Sequence, residues 1–389
     1  MNTRGNEKFL SITNSYLSRE YCGKLFPPKT IVFPKNGGAV FTNKKRVLTA
    51  CSLVDLNTGT YTASTSLDFD YSFCFFSTID FKRLYKGTAL PTIDNSVIER
   101  HLLPFPPLEE QKRIIMQIDL LLADVEKIDA DAMIIESFLS LTKQKILDLA
   151  IRGKLIPQNP DDEPASELLK KIMAEKESLI QVGKIKRDKR ESFIFRGDDN
   201  RYYEQVDGET VCVDDEIPFE IPSSWAWTRL LMICDYGTCS SEVPEKISDT
   251  AWILDLEDIE RDTGRLLSRV MKKDRNTTSA KHKFLAGNVL YSKLRTYLNK
   301  VLVADEDGFC TSEILPLDFG SYVVPDYARS VLMSQMFLEY TAQCGYGVKM
   351  PRLGTSDGRK AWFPLPPVNE QRRIIEAIEN IVAMLENLG

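Results

Sequence analysis

Pro104–Asp119 reads PFPPLEEQKRIIMQID, and Pro364–Glu379 reads PLPPVNEQRRIIEAIE. Nine of the 16 aligned positions are identical at an offset of 260 residues. Self-similarity of this length at a fixed spacing marks an internal repeat. The Pro-Pro pair suits the start of a helix, where a missing N–H leaves no bond unmade. Glu109 and Glu110 then fall in the first turn, where negative charge complements the helix dipole.

The repeat extends upstream. Gly87 and Pro91 of GTALP align with Gly347 and Pro351 of GVKMP at the same offset. Thr30–Lys35 (TIVFPK) resembles Asn288–Lys293 (NVLYSK) at offset 258, and Val47–Ala50 (VLTA) resembles Val301–Ala304 (VLVA) at offset 254. These short β-branched and aromatic runs, bounded by Gly, Pro, Asn and Asp, read as strands. Each unit is therefore a β-rich segment, a Pro-Pro turn and a helix.

Downstream the pattern changes period. Ile114, Ile118, Leu121, Val125, Ile128, Ala132, Ile135, Leu139, Thr142, Ile146 and Leu149 follow at alternating steps of four and three. This heptad seam predicts a long helix of about 40 residues and about 60 Å, facing a partner helix. Ile374, Ile378, Ile381, Leu385 and Leu388 repeat the rhythm and offer that partner. Between the units, GKLIPQNPDDEPASELLKKIMAEKESLI predicts a turn and a second helix capped near Asp162 or Glu163. GKIKRDKRESF reads as a charged connector, and IPFEIPSSWAW from Ile217 opens the second β unit.

A length of 389 residues predicts two or three domains, and 43% hydrophobic with 27% charged residues is globular usage. No apolar run approaches about 20 residues, so no membrane-spanning helix is expected. The N-terminal MNTRGNEKFL lacks a signal core, and the eight cysteines form no CxxC, so reduced thiols and a cytoplasmic location are expected. Two distant histidines, His101 and His282, argue against a histidine metal site.

The net charge of −6 hides local basic blocks. Arg261–Lys300 holds 11 Lys and Arg against two acids, a net of +9, and includes Lys272, Lys273 and Arg275. Tyr21–Val54 holds six bases and no acid. Two basic blocks at similar places in a repeat suit phosphate contact; a solvated charged face is the bland alternative. Within them lie two loops between strands. SKLRTYLNK carries Lys293, Arg295, Thr296, Tyr297, Asn299 and Lys300, and KNGGAVFTNKKR carries Lys35, Asn36, Thr42, Asn43, Lys44, Lys45 and Arg46. Cations for phosphates mixed with amide, hydroxyl and aromatic groups for base edges suit nucleic-acid recognition. Tyr346, Lys349 and Arg352, near the Gly345-Tyr346-Gly347 turn, are further candidates. No catalytic motif accompanies them: there is no GxxxxGK[ST] loop, no NPPY or DPPY tetrapeptide and no zinc deaminase pattern, and Pro160-Asp161 begins no complete nuclease motif.

With these residues the chain resembles the specificity (S) subunit of type I restriction–modification systems (the HsdS family). The resemblance rests on PFPPLEEQKRI and PLPPVNEQRRI, the run KILDLAIRGKLIPQNPDDEPASELLKKIMAEKESLI, and IPFEIPSSWAW. It implies an α+β fold with a pseudo-two-fold internal repeat, in which two β-rich target recognition domains are separated by long antiparallel helical (coiled-coil) conserved regions. The expected divisions are 1–107 and 217–363 for the recognition domains, 108–190 and 364–389 for the helical regions, and 191–216 for a connector. The implied partners are double-stranded DNA, two methyltransferase (M) subunits and restriction (R) subunits, with no membrane. The expected subunit-interface residues are Pro107, Glu110, Gln111 and Arg113, with Pro367, Glu370, Gln371 and Arg373. No catalytic residue, metal or cofactor of its own is implied; S-adenosylmethionine, ATP and magnesium are expected only in partner subunits. At offset 260 Met1 falls opposite Arg261, so Ile217–Glu260 has no counterpart, and Gly389 lies 22 residues after Pro367. A truncated first recognition domain and a short second helical region are therefore expected. A coiled-coil scaffold that binds protein only, or the recognition fragment of a single-chain restriction–methylation enzyme, are the alternatives.

Overall fold

The computed structural model describes residues 5–13, 16, 23–87, 90–183, 191–206, 208–347 and 349–387. The chain divides into two compact units, Met1–Met133 and Ile134–Gly389.

In the first unit, β1 (Phe9–Leu10), β2 (Ile31–Pro34), β3 (Arg46–Leu48) and β4 (Thr58–Tyr61) form a sheet in the order β1-β3-β2-β4. All four residues of β2 are buried, as a continuous apolar run in a central strand should be. Ile31 and Phe33 pack with Val40, Phe76, Phe81 and Ile93. Phe76 comes from α1 (Phe69–Thr78), whose N-terminus is capped by the Asp68 carboxylate accepting from the N–H groups of Asp70 and Tyr71. The pair β5 (Tyr85–Lys86) and β6 (Thr92–Ile93) and the turn α2 (Asn95–Glu99) lead into the long helix α3 (Leu108–Ile151).

The second unit takes in the end of α3, then α4 (Ala165–Gln181), β7 (Ser192–Arg196), β8 (Tyr202–Val206) and β9 (Glu209–Cys212). The stretch 191–216, expected as a connector, instead folds as the antiparallel sheet β7-β8-β9. The alternating SFIFR and YYEQV bury Ile194 and Tyr202 in the unit's core, a pairing the flanking charges obscured. Residues 184–190 of the proposed connector lie outside the described residues. Helix α4 begins at Ala165, behind Pro164, and Asp162 is not its cap.

The recognition-like part follows: β10 (Ala226–Arg229), α5 (Leu230–Ile233), β11 (Ser241–Glu242), β12 (Ile253–Leu254), β13 (Lys281–Phe284), β14 (Val289–Ser292), β15 (Val301–Val303), β16 (Gly308–Cys310) and β17 (Ile314–Leu317). Helices α6 (Pro325–Leu332), α7 (Gln335–Cys344) and α8 (Thr355–Lys360), strand β18 (Trp362–Leu365) and helix α9 (Val368–Glu386) complete it. The sheets are β11-β13-β16-β12, β15-β14-β17 and the antiparallel pair β10-β18.

The repeat holds at the level of register. In the first unit β2 lies between β3 and β4, with Ile31 opposite Val47 and Tyr61. In the second, β14 lies between β15 and β17, with Val289 opposite Val303 and Leu317. Val47 therefore corresponds to Val303, at offset 256. The offset of 254 expected from VLTA and VLVA is corrected by two residues; that slip keeps the same face and so leaves the hydrophobic pattern unchanged.

Helix α3 is as long as its seam predicted, but the expectation of a covered seam is corrected over its middle. Ile128 is 66% exposed, and Leu121, Val125 and Ile135 are more than half exposed. Apart from Gln111 in its first turn, the buried residues of the helix lie in the final turns, at Ile146, Ala150 and Ile151. There Lys143 Nζ meets Glu386 Oε1 of α9 at 3.0 Å, while Ile374 of α9 packs into the unit's own core. Leu388 lies outside the described residues. No described helix is long and apolar enough to cross a membrane.

Candidate nucleic-acid interface

The two basic loops are anchored by the same backbone bonds. In the first unit, Gly37 N–H donates to Pro91 O (2.8 Å), Ile93 N–H to Lys35 O (2.9 Å) and Lys35 N–H to Asn57 O (2.8 Å). In the second, Arg295 N–H donates to Pro351 O (2.7 Å), Leu353 N–H to Lys293 O (3.0 Å) and Lys293 N–H to Glu313 O (3.0 Å). Each loop then makes a 3₁₀ turn, Gly38–Thr42 or Thr296–Leu298, closed by an asparagine in the left-handed region, Asn43 (φ 50) or Asn299 (φ 49). Asparagine tolerates that conformation better than other side-chain-bearing residues. The proline ends of the GxxxP segments matched in the sequence, Pro91 and Pro351, are thus points against which the loops pair. The bridges Leu294–Arg352 and Tyr346–Arg352 bring Tyr346 and Arg352 beside Lys293–Arg295.

Among the candidate side chains, Thr42, Lys273, Tyr297, Tyr346 and Lys349 are exposed. Lys35, Asn36, Asn43, Lys44, Arg46, Lys293 and Arg295 are half-buried, with Arg295 Nε enclosed and without a hydrogen-bond partner. Arg295 stands at the position of Gly37 and adopts φ 52.

Other candidates are buried or held by partners within the fold, which counts against their assignment as DNA contacts. Lys45 is buried: its ammonium donates to Asn43 Oδ1 (3.1 Å), Ser77 O (3.3 Å) and Ile79 O (2.5 Å) and lies over the Phe81 ring. All three of its donors are spent, and burial pulls its pKa below the usual lysine value. Arg275 grips Asp258 with both terminal nitrogens (2.6 and 2.8 Å) and reaches Asp255 (2.9 Å). Lys272 donates to Ile247 O and faces Asp249. Lys300 donates to Leu256 O at 2.6 Å, and burial lowers its pKa. Thr296 and Asn299 are buried, with Asn299 Nδ2 donating to Met333 O. Arg352 pairs with Glu313 at 2.9 Å. Asp258 has no basic residue next to it in sequence and gave no sign there of its role as a charge anchor.

The Pro-Pro junctions are built on a buried amide. Gln371 Oε1 accepts from Val324 N–H (2.8 Å), and its Nε2 donates to Pro366 O (3.0 Å) and Tyr322 O (3.3 Å). Gln111 does the same in the first unit, accepting from Asp68 N–H (2.7 Å) and donating to Pro106 O (2.9 Å) and Ser66 O (3.4 Å). Both side chains are fully buried. Tyr71 and Tyr327, which sequence reading missed, repeat the scheme by donating to Pro104 O and Pro364 O, each at 2.9 Å. The expected role of Gln111 and Gln371 as surface for another subunit is corrected: they fasten each helix to its own β domain.

Pro367 and Glu370 are buried as well, which corrects them as subunit contacts, while the half-buried Arg373 pairs with Asp162 at 2.6 Å. At the first junction Pro107, Glu110 and Arg113 are exposed. Burial raises the Glu370 carboxyl pKa, against the opposing effects of the Gln158 amide and Arg373. Its neutral form is therefore the better tolerated, so its contribution is full at acid pH and is lost as pH rises through the raised value. Glu370→Gln should leave stability at neutral pH unchanged or slightly higher. It should also remove that part of the pH dependence, as thermal melts between pH 4 and pH 8 will show.

Comparison with known proteins places residues 2–130 in a family model described as the type I restriction modification DNA specificity domain. The chain is 26% identical over 305 residues to the Escherichia coli type I restriction enzyme EcoDI specificity subunit, covering 78% of this chain and 60% of that protein. It is 26% identical over 339 residues to the E. coli EcoAI specificity subunit, covering 75% and 54%. The chain thus spans less than two thirds of the length of these relatives. A solved chain from work on complex assembly and conformational transition of the type I R-M system superposes over 94% of this chain and 77% of that one. The TM-score is 0.53 at 15% identity, which shows a shared fold. The resemblance read from the Pro-Pro junctions is borne out.

Proposed function

We propose that this chain is a sequence-specific DNA-binding specificity subunit of a type I restriction–modification assembly and carries no catalytic group of its own. The observation that carries the reading is the pair of basic loops, hung on the same backbone anchors in two β units of identical register. Each presents cations with amide, hydroxyl or aromatic neighbours, the mixture that phosphate positioning and base-edge reading require. The partners in this reading are double-stranded DNA, methyltransferase subunits and restriction subunits. S-adenosylmethionine, ATP and magnesium belong to those partners. The exposed apolar stripe of α3 supports assembly with other chains, since an apolar strip of this length is seldom left in water.

The test is binding of cognate and scrambled duplexes over a salt series. Log K should fall with log salt by about 0.9 per phosphate neutralised. Lys293→Ala and Lys349→Ala should each make the slope shallower by about one and weaken both duplexes alike. Arg295→Ala should cost about 1–3 kcal/mol on the cognate duplex and much less on the scrambled one. A slope near zero for the unaltered chain rejects the DNA-binding reading in favour of a protein-only scaffold.

A further inference from the structure

Each basic loop lies against a second turn, and the pairing has the same register in both units. In the first, Asn36 bridges to Thr92, which pairs with Lys86. In the second, Leu294 bridges to Arg352, which pairs with Tyr346. Both turns start on a left-handed glycine, Gly87 (φ 89) or Gly347 (φ 99). A Cβ there would lie 3.0 Å from Leu90 O or 3.1 Å from Met350 O, so a turn this tight needs glycine. On its far side each turn carries a large apolar side chain in solvent at the equivalent position: Leu90 is 62% exposed and Met350 46%. An exposed aromatic stands two residues before the closing asparagine of each loop, Phe41 or Tyr297, and another in the segment entering each turn, Tyr85 or Tyr346. The Phe41 and Tyr85 rings are 5.0 Å apart, and Leu90 Cδ1 lies 3.9 Å from where a Cβ on Gly37 would stand. Exposed lysines, Lys86 and Lys349, belong to the same turns.

A single exposed leucine means little. An apolar cluster held at the same place in two units of different sequence, with cations beside it, marks a contact surface. We propose that these turns are wedges: on a DNA duplex Leu90 and Met350 enter a base step, part its stacking and kink it, while the neighbouring cations hold the phosphates. The inference rests on the DNA-binding reading above and adds to it a distortion of the duplex. Leucine and methionine have no donor with which to read a base edge. What DNA offers them is the face of an unstacked base or the 5-methyl group of a thymine. A methyl contact is met by side chains as short as alanine, whereas both units place a long one at the edge of a tight turn. Such a wedge reads sequence indirectly, because pyrimidine–purine steps open at less cost than others.

The probe is a set of cognate duplexes with 2-aminopurine in place of each adenine in turn, bound by the full chain without other subunits. A rise in fluorescence is expected at a base step within the site, together with a kink of about 20–90° read between end-attached dyes. Leu90→Ala with Met350→Ala should remove both signals, and Leu90→Met with Met350→Leu should keep them. All four are surface changes, and the salt dependence of binding, set by the phosphates, should be the same with and without them. Salt-dependent binding with no rise at any position, or a rise that the alanine variant keeps, overturns the wedge and leaves the DNA-binding reading standing. An alanine effect on affinity that disappears when uracil replaces thymine assigns the two side chains to methyl groups and also overturns the wedge. Binding that does not respond to salt overturns the wedge and the DNA-binding reading together.

Discussion

Arg275→Met should destabilise the second unit by about 3–5 kcal/mol, the usual cost of stranding one member of a buried ion pair. The guanidinium is largely enclosed, and Asp258, its bidentate partner, is almost fully buried. Methionine fills much of the volume and leaves the carboxylate with Ser268 Oγ and the Asp255 N–H. The melting transition should drop by roughly 10 °C, since about 1 kcal/mol moves a unit of this size by 2–4 °C. Lys273→Ala, two residues away and exposed, should leave it unchanged. The double variant Arg275→Met, Asp258→Asn should lose less than the two single variants combined. The pH dependence has a definite sign. Burial alone would raise the Asp258 carboxyl, but Arg275, Ser268 and the Asp255 N–H outweigh it and hold the pKa below the ordinary aspartate value. Its stabilisation is therefore complete above the unfolded value of about 3.9 and is lost as pH falls through the lower folded one. Acid melts of Arg275→Met should show less of that loss. A purely DNA-facing Arg275 would leave stability untouched and lower binding instead.

Gln371→Leu should cost about 3–6 kcal/mol. It strands the buried Pro366 carbonyl and the part-buried Val324 N–H and Tyr322 carbonyl, at about 1–3 kcal/mol for each group left unmade and towards the lower end for the two that water can reach. Leucine is chosen to keep the volume, so that the loss reads the hydrogen bonds and not a cavity. Gln111→Leu should do the same to the first unit. Hydrogen exchange separates the two. Gln371→Leu should raise exchange around Tyr322–Val324 and the start of α9, and Gln111→Leu around Ser66–Asp68 and the start of α3. Unchanged exchange with loss of partner-subunit binding would restore the reading of these glutamines as an interface.

Much of this was legible in the sequence, because the repeat carries its own control. PP-x-x-EQ, the GxxxP segments and the TIVFPK and NVLYSK strands each recur in order, and the structure assigns each pair a common place. The direction in which side chains point was not legible. Arg261–Lys300 counts as strongly positive only because its acidic partners lie outside the window. Asp255 and Asp258 hold Arg275 and Lys281 from one side, while Asp305 and Glu306 hold Arg269 from the other. Charge summed along a stretch is not charge summed over a surface. Gln111 and Gln371 were misread because glutamine is mostly exposed elsewhere, and no local pattern announces one that bonds to three backbone groups. The sheet of 191–216 was hidden by the charged residues around short aromatic strands.

The anchoring of the two basic loops has a bearing on how such a chain can change over generations. The ladder bonds that pin Lys35–Gly37 and Lys293–Arg295 to their neighbours are made by backbone atoms, joined by side-chain bonds from Asn36 Nδ2 to Asn57 Oδ1 and from Ser292 Oγ to Leu294 O. New side chains there leave the ladder intact, so the surface presented to a duplex can drift without disturbing the scaffold. The positions at Gly37 and Arg295 and at the two turn-closing asparagines are the exception, since their positive φ narrows the substitutions they accept. Variation should therefore gather at the loop positions between those fixed points, as in a lock whose pins are recut while its barrel is kept.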